Sequence, residues 1–468
     1  MTDAVLVYAI NRTDAWWRHI AASLGFAQHH VVTDIRGAGD SDVIDAFYGE
    51  YRRQRRLPAP SAAVLTADEV ADVVARCRVL RWLPANQAHC MVVAMEHAFS
   101  AVLDQTRPSL VLSFPIDRYV SDVLERLACK RGIPYVELTV SLISGMCMLM
   151  YRGQLLKTGP APAREVLQQH VSTIANPSFT PSYVQTTQRY TAARWLKIFS
   201  YFRVRGWAFR AISWLKRDPV NLHYTDAQAF LGHKPRLSDL AVLDLIDWNW
   251  RDRLAPFAQD RRVFLGLQLF PEASIDYWLA NLELIDYEDL VVDAARAYAD
   301  AGWLVLVKDH PSQFGFRQRG LIDRLLGIPN VVFLPYDVSG NEVVSLTGAN
   351  FTLTGTLGLQ SALLGRKSVA SPTYYVTTPD FVTFDRRSDV AGLPARTLAA
   401  PPPSLLERQH RVIAHLLQGS FEGDFFSFRG FQSREPASGA TLLAKRLGER
   451  LRELLAQRTH PVFHRPPS

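Results

Sequence analysis

The stretch WLVLVKDHPSQFGFR, residues 303–317, decides how the chain is read. Five apolar residues, Trp303 to Val307, run without a spacer into Lys308, Asp309, His310 and Pro311. So short an apolar run marks a strand buried on both faces, as in a parallel sheet. Charged groups at its carboxyl end then stand where open α/β sheets bind their ligands.

The same kind of run recurs on both sides of this stretch. AVLVYAI (4–10), SLVLSF (109–114) and PYVELTV (134–140) occur in the first half, and VFLGLQL (263–269), NVVFL (330–334), NFTLT (350–354) and KSVAS (367–371) in the second. Helix-period segments lie between them. The spacing of Leu290, Val291, Ala294 and Tyr298 predicts a helix from about Glu288 to Ala301, closed by Gly302. Alternating strands and helices predict an α/β fold of two doubly wound Rossmann-type domains, with a ligand cleft between them. The expected divisions are an α/β domain over 1–185, a basic aromatic linker over 186–225, a second α/β domain over 226–400, and helices and a tail over 401–468. In the tail, a helix near 405–417 and the segment GATLLAKRLGERLRELLAQ are expected to be helical, the latter packed on the body, and RTHPVFHRPPS to be loose.

The length of 468 residues suits two cores, and 48% apolar with 21% charged residues is ordinary globular composition. The net charge of +7 favours an anionic partner. Four cysteines, at 77, 90, 129 and 147, show no CxxC spacing, which points to buried thiols in a reducing compartment and against zinc. The N-terminus, MTDAVLVYAINRTDAWWRH, lacks the basic start and long apolar core of a signal peptide and reads as the first strand of a cytoplasmic protein. LTVSLISGMCMLMY (138–151) is shorter than a spanning helix requires.

Residues 193–217, ARWLKIFSYFRVRGWAFRAISWLKR, hold seven Lys or Arg, no acid and interleaved aromatics. Such a segment suits docking on an anionic membrane surface, with Trp195, Lys197, Arg203, Arg205, Trp207, Arg210 and Trp214 as the contacting residues. The competing reading is a helix packed between the domains with solvated arginines. Single-stranded nucleic acid could stack on such rings, but no RNA- or DNA-binding signature accompanies them, so no nucleic-acid partner is expected.

His310 alone would read as a structural hydrogen-bonder. A second element changes the weighing: NFTLTGTLGLQSALLG (350–365) runs from a strand through Gly355 into a helix. Backbone N–H groups and the hydroxyls of Thr354 and Thr356 are expected to face the same sheet edge as His310 and to cradle a phosphate. The spacing is not that of a P-loop, which removes Walker-type ATP hydrolysis.

VKDHP, NVVFLPYD and TGTLGLQSALLGRKSV together resemble the second half of capsular and surface-polysaccharide glycosyltransferases of GT-B architecture, the group that includes bacterial Kdo transferases. GLQLFPEASIDYW (266–278), with Pro271 and Glu272, is similar to the segment that opens the nucleotide-binding domain in that group. The resemblance covers roughly 260–375 and the first half only in outline. It implies a nucleotide-sugar donor, a CMP-sugar such as CMP-Kdo, with His310, Thr354 and Thr356 on its phosphate and ribose and Lys308, Pro311 and Gly355 beside them. The group's turn is often Asn-Ser-Thr or Ser-Ser, and this chain has Thr-Gly-Thr, which leaves the donor open. The implied partners are a glycan or glycolipid acceptor and the cytoplasmic face of a membrane; no cofactor is expected.

SLVLSFPIDRYVSDVLERLACKRGIPYVEL (109–138) puts Asp117 after a strand and at a helix start. It is the candidate nucleophile or general base, with an N-cap role as the competing reading. Arg118 is a candidate partner for a donor carboxylate, and His310 a candidate acid. Glu137, expected at the end of the next strand, and Glu272 are the alternative carboxylates. Asp40-Ser41-Asp42 has the D-x-D form of metal-binding transferases, but its place before a helix-like segment favours a loop role, and no metal site is expected. The rival readings are a glycerol- or ribitol-phosphate polymerase, a UDP-sugar transferase or 2-epimerase of the same fold, and a non-catalytic assembly factor for polysaccharide synthesis.

Overall fold

The computed structural model describes residues 3–10, 12–174, 176, 190–215, 236–378, 380–400, 404–423 and 439–456. The expected divisions at 185/186 and 225/226 and the terminal RTHPVFHRPPS fall outside them. The chain forms two compact units, Met1–Pro162 with Leu416–Ser468, and Ala163–His415. The second division falls inside the helix Leu405–Gly419.

The first unit contains β1 (Ala4–Ala9), β2 (Gln28–Thr33), β3 (Ser41–Asp42), β4 (Leu110–Ser113), β5 (Tyr135–Val140), β6 (Met146–Tyr151) and β7 (Gln154–Leu155). The second contains β8 (Arg262–Gly266), β9 (Leu304–Lys308), β10 (Val331–Phe333), β11 (Ala349–Phe351), β12 (Lys367–Ala370) and β13 (Val382–Thr383), and β14 (Ser420–Glu422) returns to the first. The second sheet runs β10-β9-β8-β11-β12-β13 and is parallel throughout. The first runs β14-β6-β5-β4-β1-β2-β3, with β7 beside β6. Both are Rossmann-like α/β bodies.

The first sheet departs from the all-parallel expectation at one edge. β6 is antiparallel to β5, and β14 is antiparallel to β6. The reason lies in the connection: Ser141–Gly145 is far too short for the crossover that a parallel pair needs.

In the second unit the alternation of side chains sorts each strand between two cores. Val263, Leu265, Val305 and Val307 enter one cluster, and Phe264, Leu304 and Leu306 the other. The helix Tyr287–Asp300 ends as its sequence predicts. Gly302 takes φ +77°, its N–H reaches the Ala299 carbonyl at 2.9 Å, and Trp303 N–H reaches the Tyr298 carbonyl at 3.0 Å. This is the Schellman arrangement, with the Tyr298 and Trp303 rings meeting at 5.2 Å as its apolar contact. It delivers the chain straight into β9. Gly132, at φ +67°, closes the helix Tyr119–Lys130 before β5 in the same way.

The helix Ala440–Ala456 packs on the first unit, burying Leu443, Leu447, Leu451 and Leu454. Arg452 holds the carbonyls of Leu24 and Gly25 at 3.4 Å.

Candidate functional site

β8 lies between β9 and β11, so the loops that leave these three strands meet at one carboxyl edge. Lys308 is the last residue of β9, and His310 and Pro311 open the short 3₁₀ turn that follows. Thr354, Gly355 and Thr356 lie between β11 and the helix Leu357–Leu363. The structure thus brings the two predicted elements to one edge.

What joins them is Gln268, just beyond β8, which the sequence reading passed over. Its Oε1 accepts from the N–H groups of Leu353 and Thr354, both at 3.0 Å, and its Nε2 donates to Thr354 Oγ1 at 2.9 Å. Its own carbonyl accepts from Arg317 Nη2 at 2.9 Å. Gln313 straps the same loop to the turn after His310, through Phe270 N–H and C=O at 3.0 Å each. A glutamine inside the apolar run LGLQLF was the available signal. Only a side chain carrying both donor and acceptor could tie the two loops in this way.

The expected cradle is therefore smaller than predicted. The N–H groups of Leu353 and Thr354 are held by Gln268, and that of Gly355 by Thr352 Oγ1 at 3.2 Å. The Thr356 hydroxyl has no partner among the described residues.

Asp309 is the structural anchor of the edge. Its Oδ1 accepts from Arg317 Nε at 3.0 Å and Nη2 at 2.8 Å, and from His310 N–H at 2.8 Å, while Tyr336 donates to Oδ2 at 2.7 Å. Both Asp309 and Arg317 are 1% exposed. The carboxylate is fully used.

Lys308 is different. It is 6% exposed, and its Nζ reaches only the Asp309 carbonyl, at 3.5 Å. Among the described residues no carboxylate lies at ion-pair distance. Burial pushes its pKa down to about 8, against the partial support of Asp309 and Asp337. Burial also lowers His310, and the positive charges of Lys308 and Arg317 add to this against Asp309. The ring is held neutral. Ser312 N–H donates to His310 Nδ1 at 3.1 Å, so the proton of that neutral ring belongs on Nε2. The edge offers a cation and an N–H donor, and its buried carboxylate, Asp309, is taken by Arg317.

The carboxylates are placed as follows. Asp117 precedes the cap, since Arg118 is the N-cap of Tyr119–Lys130, so the N-cap reading of Asp117 does not hold. Arg118, 3% exposed, binds Asp117 Oδ1 at 3.0 Å and Asp34 Oδ2 at 3.3 Å, so it is spent between two carboxylates of its own chain. Glu137 is the third residue of β5 rather than its end, because the strand continues into the hairpin with β6. It is fully buried, and burial raises its pKa to about 7, opposed by the backbone N–H and charge of Arg152. Arg152 also reaches Asp122 and Glu125, and Arg126 binds Asp122 and Asp72, while Glu137 Oε2 is buried without a hydrogen-bond partner. Glu272, in the second unit, accepts from Ser274 Oγ at 3.0 Å on the loop that carries Gln268. In the Asp40-Ser41-Asp42 segment, Asp40 binds Arg18 and Val31 N–H, and Asp42 binds the N–H groups of Gly37 and Ile44. Those carboxylates shape their own loop.

The basic aromatic segment forms the helix Ala192–Leu215. Trp195 is fully buried in the core of the second unit, which removes it from the docking set. Phe199 stacks on it at 5.2 Å, Phe202 meets Phe316 at 3.9 Å, and Arg203 lies over the Phe199 ring. Arg205 is half-buried, and Lys197 and Arg210 are exposed. Trp207 and Trp214 are 65% and 78% exposed, with Val204 and Leu215 also open. One part of the helix is core and the other is bare. No helix among the described residues is long and apolar enough to cross a membrane.

No protein-family model matches the sequence, and no curated protein is similar to it. Among solved structures, the chain is similar to Thermosulfurimonas dismutans KpsC, a beta Kdo 2,7 transferase, at 12% identity and TM-score 0.32 over 77% of this chain and 89% of that one. It is similar to Methanocaldococcus jannaschii UDP-GlcNAc 2-epimerase at 11% and TM-score 0.27, over 89% and 100%. A third likeness is to CalG4, the calicheamicin glycosyltransferase, at 15% and TM-score 0.26, over 89% and 95%. These are likenesses of outline, and the fold itself rests on the two strand orders.

Proposed function

We propose that the chain is a glycosyltransferase of surface-glycan synthesis that takes a sugar from an activated nucleotide, a CMP-linked ulosonic acid such as Kdo, and passes it to a lipid-linked or growing glycan. The observation that carries this reading is the carboxyl edge of the second sheet, where buried Lys308 has no carboxylate at ion-pair distance among the described residues and His310 presents Nε2–H. A nucleotide phosphate supplies the missing charge.

In the transfer, the bond from the anomeric carbon to the phosphate oxygen breaks and a bond to the acceptor oxygen forms. The nucleotide leaves with one more negative charge on its phosphate, and Lys308 and His310 Nε2–H stabilise that charge as it develops. The acceptor's proton passes to a carboxylate. The candidates are Asp117, and Glu272 on the same loop as Gln268. Thr354 and Gly355, fixed by Gln268 and Thr352, hold the turn in shape, and Thr356 has a hydroxyl to give the nucleotide. The exposed part of the helix 192–215 would rest on an anionic membrane face, near a lipid-linked acceptor.

The test is calorimetric titration of CMP, CDP, UMP and UDP, each with and without Mg²⁺, against the wild type and His310→Ala. Metal-independent CMP binding that weakens in the variant supports the reading. Preference for UDP moves the donor to a UDP-sugar, and absence of any nucleotide binding returns the chain to the scaffold class.

A further inference from the structure

The opposite, amino edge of the second sheet holds a cavity of about 400 Å³, where β8, β11 and β12 begin. Its polar lining is Gln259, Asp260, Arg366, Lys367 and Arg408, closed by backbone at Gly348 and Gly365. At Gly348 the backbone of Asp260 comes so close that a Cβ would stand 2.6 Å from the Asp260 Cα. The wall there admits glycine alone.

The three cations of this cavity rest on neutral oxygens. Arg408, 3% exposed on the helix Leu405–Gly419, gives Nη1 to the carbonyls of Arg366 at 2.6 Å and Ala362 at 3.3 Å. Arg366 gives Nη2 to the Ser345 carbonyl at 2.9 Å, and Lys367 gives Nζ to the Leu398 carbonyl at 3.0 Å. The Nε atoms of both arginines are buried without a hydrogen-bond partner. Among the described residues none of the three cations has a carboxylate at ion-pair distance, and Asp260 is the only acid in the lining. Burial lowers the pKa of Lys367 in spite of Asp260, and it lowers that of Arg408 in spite of Asp380, as expected for cations whose charge is not matched.

We propose that this cavity is a second, non-catalytic site for a small phosphorylated polyol or sugar, with Arg366, Lys367 and Arg408 gathered on the phosphoryl oxygens and Asp260 accepting from a hydroxyl. Three cations gathered on one wall with no carboxylate at ion-pair distance among the described residues fit a phosphomonoester rather than a carboxylate. The volume exceeds what inorganic phosphate would fill. The site is independent of the nucleotide edge, because it lies at the other ends of the same strands.

The test uses glucose 6-phosphate and inorganic phosphate as probes, by calorimetry and thermal unfolding of the full chain. The variants are Lys367→Gln, Arg366→Gln and Asp260→Asn, with Lys308→Met as the control at the nucleotide edge. Arg408 is left in place because it also holds two carbonyls. Glucose 6-phosphate is expected to bind wild type and Lys308→Met alike and to weaken about tenfold in Lys367→Gln and Arg366→Gln. Asp260→Asn is expected to weaken glucose 6-phosphate and to leave or strengthen inorganic phosphate. Binding that is lost in Lys308→Met and kept in Lys367→Gln would overturn the site, as would the lack of saturable binding to the wild type.

Discussion

The carboxyl edges of the two sheets carry similar residues and treat charge in opposite ways. In the first unit the buried arginines are matched by carboxylates: Arg118 by Asp34 and Asp117, Arg126 by Asp122 and Asp72, Arg152 by Asp122 and Glu125. In the second unit Asp309 and Arg317 form such a pair, yet Lys308, beside Asp309 in the sequence, has none among the described residues. A saturated edge is a structural device. On the proposed function, an edge left one anion short would serve as a receptor, since a phosphate arriving there would restore the energy that the buried cation lacks.

The largest expected effect tests the part that the two edges share. Asp309→Ala strands the buried Arg317 guanidinium and should cost about 3–5 kcal/mol in chemical denaturation, as should Asp122→Ala in the first unit. A loss below about 1 kcal/mol at Asp309 would break the comparison, because the second edge would then hold no structural pair.

Glu137 sharpens it from the side of the first unit. Its folded pKa of about 7 lies above the ordinary 4.5, so its contribution to stability is fully present below pH 4.5 and is lost as pH rises toward 7. The loss should be about 3 kcal/mol, and it should vanish in Glu137→Gln. Equal pH profiles for wild type and variant would mean that the Arg152 cluster already neutralises the carboxylate.

Lys308→Met is the test that separates the edges. The variant should be as stable as the wild type or more so, while CMP affinity falls about ten- to a hundredfold. Because the folded lysine titrates near 8, below the ordinary 10.5, the wild type should gain stability from pH 8 upward and lose CMP affinity over the same range. The variant should show neither change. A destabilised Lys308→Met that still binds CMP would reverse the assignment of roles.

The smallest effect on stability belongs to the exposed part of the helix 192–215. Trp207→Ala and Trp214→Ala should stay within about 0.5 kcal/mol of the wild type. Sedimentation with anionic phospholipid vesicles should nevertheless fall in both, and equal sedimentation would remove the membrane from the proposed function.

Much of this edge was legible in the sequence. The run 303–307, the Schellman glycine at 302 and the strand-to-turn passage at 351–356 each follow from local rules, and they placed His310 and Thr356 correctly along the chain. What was not legible was the partnership. Neither Gln268 nor Arg317 stood out in the sequence, because nothing local records that β8 inserts between β9 and β11. Asp117 and Arg118 looked available for a ligand for the same reason: Asp34, which completes their cluster, lies far away in the chain.

The basic aromatic segment shows the same boundary. Its composition determined that it would be a helix with something to bury, but its ring spacing could not say which rings. The sequence alone determined the central apolar strands and the glycine-closed helix ends, since these depend on neighbours a few positions apart. Only the tertiary structure decided which of those charges are paired and which are left waiting, because a buried charge is neutralised by whatever the strand order brings beside it.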